Sequence, residues 1–237
     1  MKTSRTVAYR DGDAELSGVL ISDPEWRDPR PGILVVHGGA GLDEHARERA
    51  KTLADLGFVV LACDMYGAAV RGNRERTMTL LGEFREHPAK LCRRARAGLE
   101  LLTSNPLVGE RVGAVGYCFG GLTVLEMARN GMQLAGVVSV HGSLSTPRPA
   151  VPGAVLPRIL VCHGALDPHV PVPHVISFMQ EMNQAGADWQ LIVYGGAMHG
   201  FTHNSPPVAP GVAYNAAADA RSAVAIKNFF AEVFFSN

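Results

Sequence analysis

Cys118 lies in Gly116-Tyr117-Cys118-Phe119-Gly120-Gly121, between the apolar run Arg111 to Val115 and the stretch Leu122 to Arg129. The run reads as a short buried strand, and the stretch has the apolar spacing of a helix. The hexapeptide is then a strand-to-helix turn of the Gly-x-nucleophile-x-Gly type, with cysteine at the reactive position. Flanking glycines let strand and helix approach while the middle residue takes a strained backbone conformation. Its sulfur would stand clear of the sheet at the positive end of a helix, which favours the thiolate. Taken alone, the hexapeptide also fits a buried structural cysteine in a tight turn.

A nucleophile on such a turn needs a base, and the base needs an orienting acid. The run Ile159 to His163 leads into Gly164-Ala165-Leu166-Asp167, and Leu191 to Tyr194 leads into Gly195-Gly196-Ala197-Met198-His199. Both Asp167 and His199 therefore follow strand ends, where the active sites of open parallel sheets lie. An isolated Asp there is usually a turn or cap residue, and an isolated His only a loop residue. The order nucleophile, acid, histidine, with each at a strand end, predicts Cys118 as nucleophile, His199 as base and Asp167 as its orienter. An oxyanion hole would need two backbone N–H groups: Phe119 directly after the nucleophile, and Gly38 in His37-Gly38-Gly39 after an earlier strand.

These positions require a sheet that brings several strand ends to one edge. Thr3 to Tyr9 and Ala14 to Ile21 alternate around Asp11-Gly12, as in an antiparallel hairpin. Gly32 to His37 is a continuous apolar run, the pattern of a strand buried on both faces. A helix with Ala46, Ala50, Leu53 and Ala54 on one face follows, then a buried strand over Phe58 to Asp64. Met65 to Ala89 has no clean period and reads as a long site-lining connection. Helix is expected over Leu91 to Leu102, strands over Leu134 to His141 and Arg158 to His163, and helix over Val172 to Ala185. A strand over Trp189 to Tyr194 and a C-terminal helix over Ala213 to Phe235, with Ala216, Ala220, Ala223, Ile226, Phe230 and Val233 inward, complete the chain. The alternation predicts an α/β fold, a mainly parallel sheet flanked by helices, in one domain spanning residues 1–237.

The 237 residues suffice for one well-buried core, and 22 basic residues balance 22 acidic ones. That balance excludes nothing enzymatic but offers no footprint for nucleic acid or a membrane surface. No run approaches the ~20 apolar residues of a bilayer span, and the N-terminus lacks a signal-peptide core. Cysteines 63, 92, 118 and 162 have neither metal-ligand spacing nor disulfide density, so reduced thiols and a cytoplasmic location are expected. A homodimer, common among small enzymes, is compatible with the sequence.

The hexapeptide, Asp64-Met65-Tyr66-Gly67, His163-Gly164-x-x-Asp167 and His199-Gly200-Phe201 together resemble the dienelactone hydrolase family over nearly the whole chain. The cysteine is the specific element, since most α/β-hydrolases carry serine at that turn. The resemblance implies an α/β-hydrolase fold with no large lid domain, and Cys118, Asp167 and His199 as its triad. It further implies hydrolysis of activated esters and lactones through an acyl-cysteine, with no metal or organic cofactor. Family members that open dienelactones have a glutamate after the first buried strand, where this chain has His37. They also bind the substrate carboxylate with two arginines. Arg71, Arg74 or Arg76 could supply the first, and His203 stands where the second would be. A neutral small ester is thus expected at least as much as a carboxylate-bearing lactone, with His37, Arg71, Arg76, Phe201 and His203 as candidate substrate contacts. His37 also reads as a loop histidine bonded to backbone.

Three functions follow from these residues. Hydrolysis of small activated esters or lactones leads, because a thiolate attacks carbonyls with good leaving groups. Some dienelactone hydrolase-like proteins act promiscuously on phosphotriesters, which makes aryl phosphotriester hydrolysis an expected side activity. A non-catalytic relative using Cys118 as a redox sensor or ligand contact is the alternative from another class.

Overall fold

The computed structural model describes residues 2–204 and 209–236. Eight strands form one sheet: β1 (Thr3–Asp11), β2 (Ala14–Ser22), β3 (Arg30–Val36), β4 (Val59–Cys63), β5 (Val108–Tyr117), β6 (Gly136–Val140), β7 (Arg158–Gly164) and β8 (Trp189–Tyr194). Six helices connect and cover them: α1 (Glu44–Asp55), α2 (Arg74–Glu86), α3 (Pro88–Thr103), α4 (Phe119–Arg129), α5 (Val172–Ala185) and α6 (Ala216–Phe235). The strand order is β1-β2-β4-β3-β5-β6-β7-β8. The β1–β2 hairpin and its junction with β4 are antiparallel, and every pair from β4 to β8 is parallel. This is an α/β-hydrolase fold, and among the described residues no inserted lid domain interrupts it.

Side chains that alternate along a strand divide the core into two layers. Leu34 and Val36 of β3 pack with Phe84, Leu91, Leu125 and Phe178 on the face covered by α2 to α5. Ile33 and Val35 pack with Ala50, Leu53, Phe229 and Phe230 on the face covered by α1 and α6. With both faces covered, the central strands need apolar residues throughout, and β4 and β6 are buried at every position.

Two expectations change. The stretch Met65 to Ala89 is not free of structure, because it holds α2, capped where the Asn73 side chain accepts from the Arg76 amide at 3.0 Å. Only Leu81 and Phe84 of that helix are buried, so its apolar period is faint in the sequence. The C-terminal helix begins at Ala216, where Asn215 caps it by accepting from the Ala218 amide. Its inward residues are Ala218, Ser222, Ile226, Phe229, Phe230, Val233 and Phe234, while Ala216 and Ala220 face solvent.

Phe230 anchors α6 to the sheet. It is fully buried, stacks on Phe234 at 5.3 Å, and lies so close to Gly113 that a Cβ there would come within 2.6 Å of its ring. Phe230→Ala should lower unfolding free energy by about 3–5 kcal/mol, read from the denaturant midpoint at unchanged slope.

Candidate active site

The strand β5 ends at Tyr117 and α4 starts at Phe119, leaving Cys118 alone at the turn with φ 54° and ψ −111°. A residue with a Cβ holds such a left-handed conformation only where its surroundings enforce it. Here they do. A Cβ on Gly116 would lie 1.9 Å from the Gly120 carbonyl oxygen, and one on Gly120 would lie 2.1 Å from the Val36 carbonyl oxygen. Strand, turn and helix are therefore in backbone contact, and only glycine permits it.

Past the end of β7, Asp167 directs Oδ1 at the amides of His169 (2.8 Å) and Val170 (3.2 Å). Its Oδ2 lies 2.8 Å from His199 Nδ1, in the loop after β8, and His199 Nε2 lies 3.1 Å from Cys118 Sγ. The structure thus joins the three residues read from the sequence in one line. Burial opposes ionisation of Cys118, but the hydrogen bond and charge of His199, with the amides of Gly39 and Phe119, hold the thiol below its ordinary value. For His199, burial disfavours the charged ring, while Asp167 and the sulfur raise it to about 10. Burial likewise opposes a charged Asp167, and the His199 bond outweighs it to lower that carboxyl. The opposed shifts of sulfur and ring favour a thiolate–imidazolium pair, able to attack carbon or phosphorus without prior proton removal.

The amides of Phe119 and Gly39 both favour the thiolate. Gly38, the other expected oxyanion donor, adjoins Gly39 beside Cys118, and its carbonyl accepts from His37 Nδ1 at 2.7 Å. Tyr66 steadies this loop through its hydroxyl, 3.0 Å from the Gly39 carbonyl. Asp64 in turn holds the Tyr66 and Gly67 amides at 3.0 Å each.

Several expected substrate contacts lie elsewhere. His37 is fully buried, and its Nε2 accepts from the Met65 amide at 3.0 Å, which places its single proton on Nδ1 toward Gly38. Both nitrogens are committed to backbone, and burial lowers its basicity. Arg71 pairs with Asp64 at 3.1 Å, and Arg76 is exposed and reaches the Ala69 carbonyl. Phe201 is 0% exposed, packed against His141 and Tyr194 in the core. Of the expected set His203 does line a cavity, stacked on His45 with centroids 3.8 Å apart.

Two cavities meet at Cys118 and His199. One, of about 530 Å³, includes Phe84, Leu91, Leu122 and Val170; the other, of about 610 Å³, includes Gly39, Met78, Leu81 and Tyr214. The arginines that line them are Arg85 and Arg74 respectively, both exposed on α2. Of the loop His203 to Gly211 expected as a wall, residues 205–208 lie outside the described residues, while His203 and Ala209 line the cavities. Among the described residues no three His, Cys, Asp or Glu side chains gather as a metal site would require. No described helix is long and apolar enough to cross a membrane.

From the sequence His141 reads as a strand-end histidine, buried and satisfied rather than functional. It follows β6, is fully buried, and is the other non-glycine residue with positive φ (40°) among the described residues. The Cys118 amide is shared between the Val140 carbonyl at 3.0 Å and His141 Nδ1 at 3.1 Å, so that nitrogen accepts and the ring proton sits on Nε2, 2.8 Å from the Thr202 hydroxyl. Thr202 is three residues beyond His199. A neutral imidazole therefore links the Cys118 turn to the loop that carries His199. Burial and the nearby His199 keep it neutral, well below the ordinary histidine range. Its place at the end of the strand next to β5 was the available signal.

A model of the dienelactone hydrolase family matches residues 17–234. K02A2.1, an uncharacterized protein of Caenorhabditis elegans, is 40% identical over 151 residues, covering 61% of this chain and 95% of that protein. The solved structure of m3DLH is 37% identical with a TM-score of 0.91, over 98% of this chain and 99% of its own. The dienelactone hydrolase-like promiscuous phosphotriesterase P91, from metagenomic libraries, is 39% identical with a TM-score of 0.92, over 98% of each chain.

Two outcomes follow from the geometry. His199→Ala removes the cation beside the sulfur, so the Cys118 thiol should return to or above the ordinary value near ~8.5, and its alkylation by iodoacetamide at neutral pH should slow more than about tenfold. An unchanged rate would refute the ion pair. His141→Leu keeps the volume but removes one of the two acceptors of the Cys118 amide and the link to Thr202, and should lower kcat for ester substrates by about tenfold with little change in KM. His141→Asn, whose Oδ1 can replace Nδ1, should recover most of that loss.

Proposed function

The chain belongs to the dienelactone hydrolase family of ester and lactone hydrolases, and from that membership we propose that it cleaves small, neutral, activated esters and lactones through an acyl-cysteine on Cys118. The observation that carries this reading is the line Asp167 Oδ2–His199–Cys118 Sγ, with spacings of 2.8 and 3.1 Å. The thiolate attacks the ester carbonyl carbon, and the carbonyl oxygen takes the charge. The amides of Phe119 and Gly39 receive that oxyanion; one such donor typically contributes ~2.7–4 kcal/mol to the transition state. As the intermediate collapses, the carbon–oxygen bond breaks and His199 Nε2–H protonates the departing alkoxide. Neutral His199 then takes a proton from water as its oxygen attacks the acyl-cysteine. Carboxylic acid leaves, and thiolate and imidazolium are restored. Asp167 holds the ring so that Nε2 faces the sulfur throughout.

Neutral substrates fit the surroundings of the sulfur. Arg71 is tied to Asp64, and Arg74 and Arg85 stand exposed at the α2 rim. The likeness to P91 over the whole fold favours a second activity on the same machinery. In an aryl phosphotriester the phosphoryl oxygen would occupy the oxyanion site, the thiolate would displace aryloxide from phosphorus, and water activated by His199 would cleave the phosphoryl-cysteine.

With p-nitrophenyl acetate, Cys118→Ala should lose at least about a thousandfold in kcat. Turnover of an aryl phosphotriester should vanish in the same variant. An undiminished rate in Cys118→Ala on either substrate would sink that part of the reading.

A further inference from the structure

One buried polar group of the 530 Å³ cavity has no hydrogen bond of normal geometry. Phe119, Leu122 and Glu126 of α4 all line that cavity, and their spacing of three and four residues is a single stripe on the helix. The cavity therefore follows α4 away from the sulfur. Eight residues at the helical rise put Glu126 about 12 Å beyond Cys118. The near wall is apolar, from Phe84, Pro88, Leu91 and Leu122, whereas Ser145 and Thr146 line it with Glu126.

Glu126 is 1% exposed, and its Oε1 accepts from Arg129 Nη1 at 2.9 Å. Its buried Oε2 has no hydrogen bond of normal geometry, and the Thr146 hydroxyl lies beside it as a weak donor. Arg129 cannot serve both oxygens, since its Nε and Nη2 are held by Glu181 at 2.8 Å each and Nη2 also meets the Leu144 carbonyl. Thr146 adjoins the carboxylate, but its hydroxyl sits between the Arg148 carbonyl at 3.3 Å and the Arg148 amide at 3.0 Å. One guanidinium thus faces two carboxylates in this buried group. A carboxylate oxygen without a well-placed donor is strongly unfavourable in such a place, and a ligand that brings one is correspondingly favoured. Burial also pushes the Glu126 carboxyl above its ordinary value, as a carboxylate short of donors should be.

We infer that this cavity is an acyl subsite for chains with an apolar body and a hydroxyl or ammonium terminus about 9–10 Å from the carbonyl, one hydrogen bond short of the ~12 Å to Glu126. The inference rests on the acyl-cysteine reading, and the aryl leaving group would occupy the cavity lined by Met78, Leu81 and Tyr214. Glu126 is 1% exposed, so a chain terminus reaches its carboxylate by displacing the Thr146 side chain that lines the cavity beside it.

The test compares p-nitrophenyl nonanoate with the esters of ω-hydroxyoctanoate and ω-aminooctanoate, which replace the terminal methyl by a hydroxyl or ammonium group. In wild type the donor-terminated esters should have kcat/KM about tenfold above the nonanoate, against the trend of hydrophobicity. Glu126→Gln, which presents an amide in place of the carboxylate, should bring the ammonium ester's advantage down to parity. Leu122→Trp, which narrows the path to Glu126, should erase it as well. A wild-type preference for the nonanoate overturns the inference whether or not either variant folds, as does an advantage that persists in a folded Glu126→Gln. Protection of Cys118 from iodoacetamide by the N-methyl amides of the same acids reads occupancy without turnover. Stronger protection by donor-terminated amides with no ester cleavage would keep the subsite and sink the acyl-cysteine reading, while equal protection would sink the subsite alone.

Discussion

At Cys118 the backbone turns through a conformation that a residue with a side chain adopts only under constraint, and the constraint is the contact of β5, α4 and the end of β3. The Gly116 and Gly120 positions leave no room for a Cβ. Their contact sets where α4 begins and so which side chains of that helix face the substrate space. It also turns the Phe119 amide toward the sulfur. Among the described residues the non-glycine positive φ values fall at two adjoining strand ends, Cys118 and His141, and the hydrogen bond between these residues ties the two together. A distortion shared in this way is held by the parallel pairing of β5 and β6 rather than by the turn alone.

The sheet does the rest of the positioning. Asp167 and His199 come from consecutive parallel strands, so their loops emerge side by side at the edge where Cys118 stands. The charges then reinforce one another: Asp167 raises the basicity of the ring, and the ring stabilises the thiolate. Removal of any one member changes the protonation of the others, and the macroscopic titration therefore belongs to the group rather than to a residue.

How much of this was legible in the sequence depended on whether a residue's role follows from its place along the chain. Cys118 and Asp167 follow runs of buried-strand residues, His199 follows the half-exposed edge strand β8, and parallel topology sends all three ends to one edge. Their convergence could be read without coordinates. Orientation could not. His37 and Phe201 follow strands or neighbour the base just as plausibly, yet one is fixed by backbone on both nitrogens and the other points into the core. Helix α2 was missed because only two of its residues are buried, so tertiary contact and the Asn73 cap hold it rather than a strong apolar stripe. Glu126 lies unremarked within the helical stretch Leu122 to Arg129, and its burial beside Arg129 and Glu181 depends on chain segments far apart in sequence.

His37 bears on how the thiolate is made ready. In dienelactone-opening relatives the resemblance places a glutamate at this position, where it helps convert thiol to thiolate as substrate binds. A carboxylate near the sulfur would otherwise oppose the anion, so such a switch suits a substrate that brings its own negative charge and rearranges the site. The neutral His37 ring can do neither: its proton lies on Nδ1 toward Gly38, its lone pair faces the Met65 amide, and burial keeps a second proton away. With that carboxylate replaced, the sulfur's nearest ionisable partner is His199, and their pairing needs no ligand to form. On the proposed reading the nucleophile is therefore ready before substrate arrives. Selection then falls to what the two cavities admit, which is the arrangement expected of an enzyme that accepts neutral electrophiles at carbon and, as a side activity, at phosphorus.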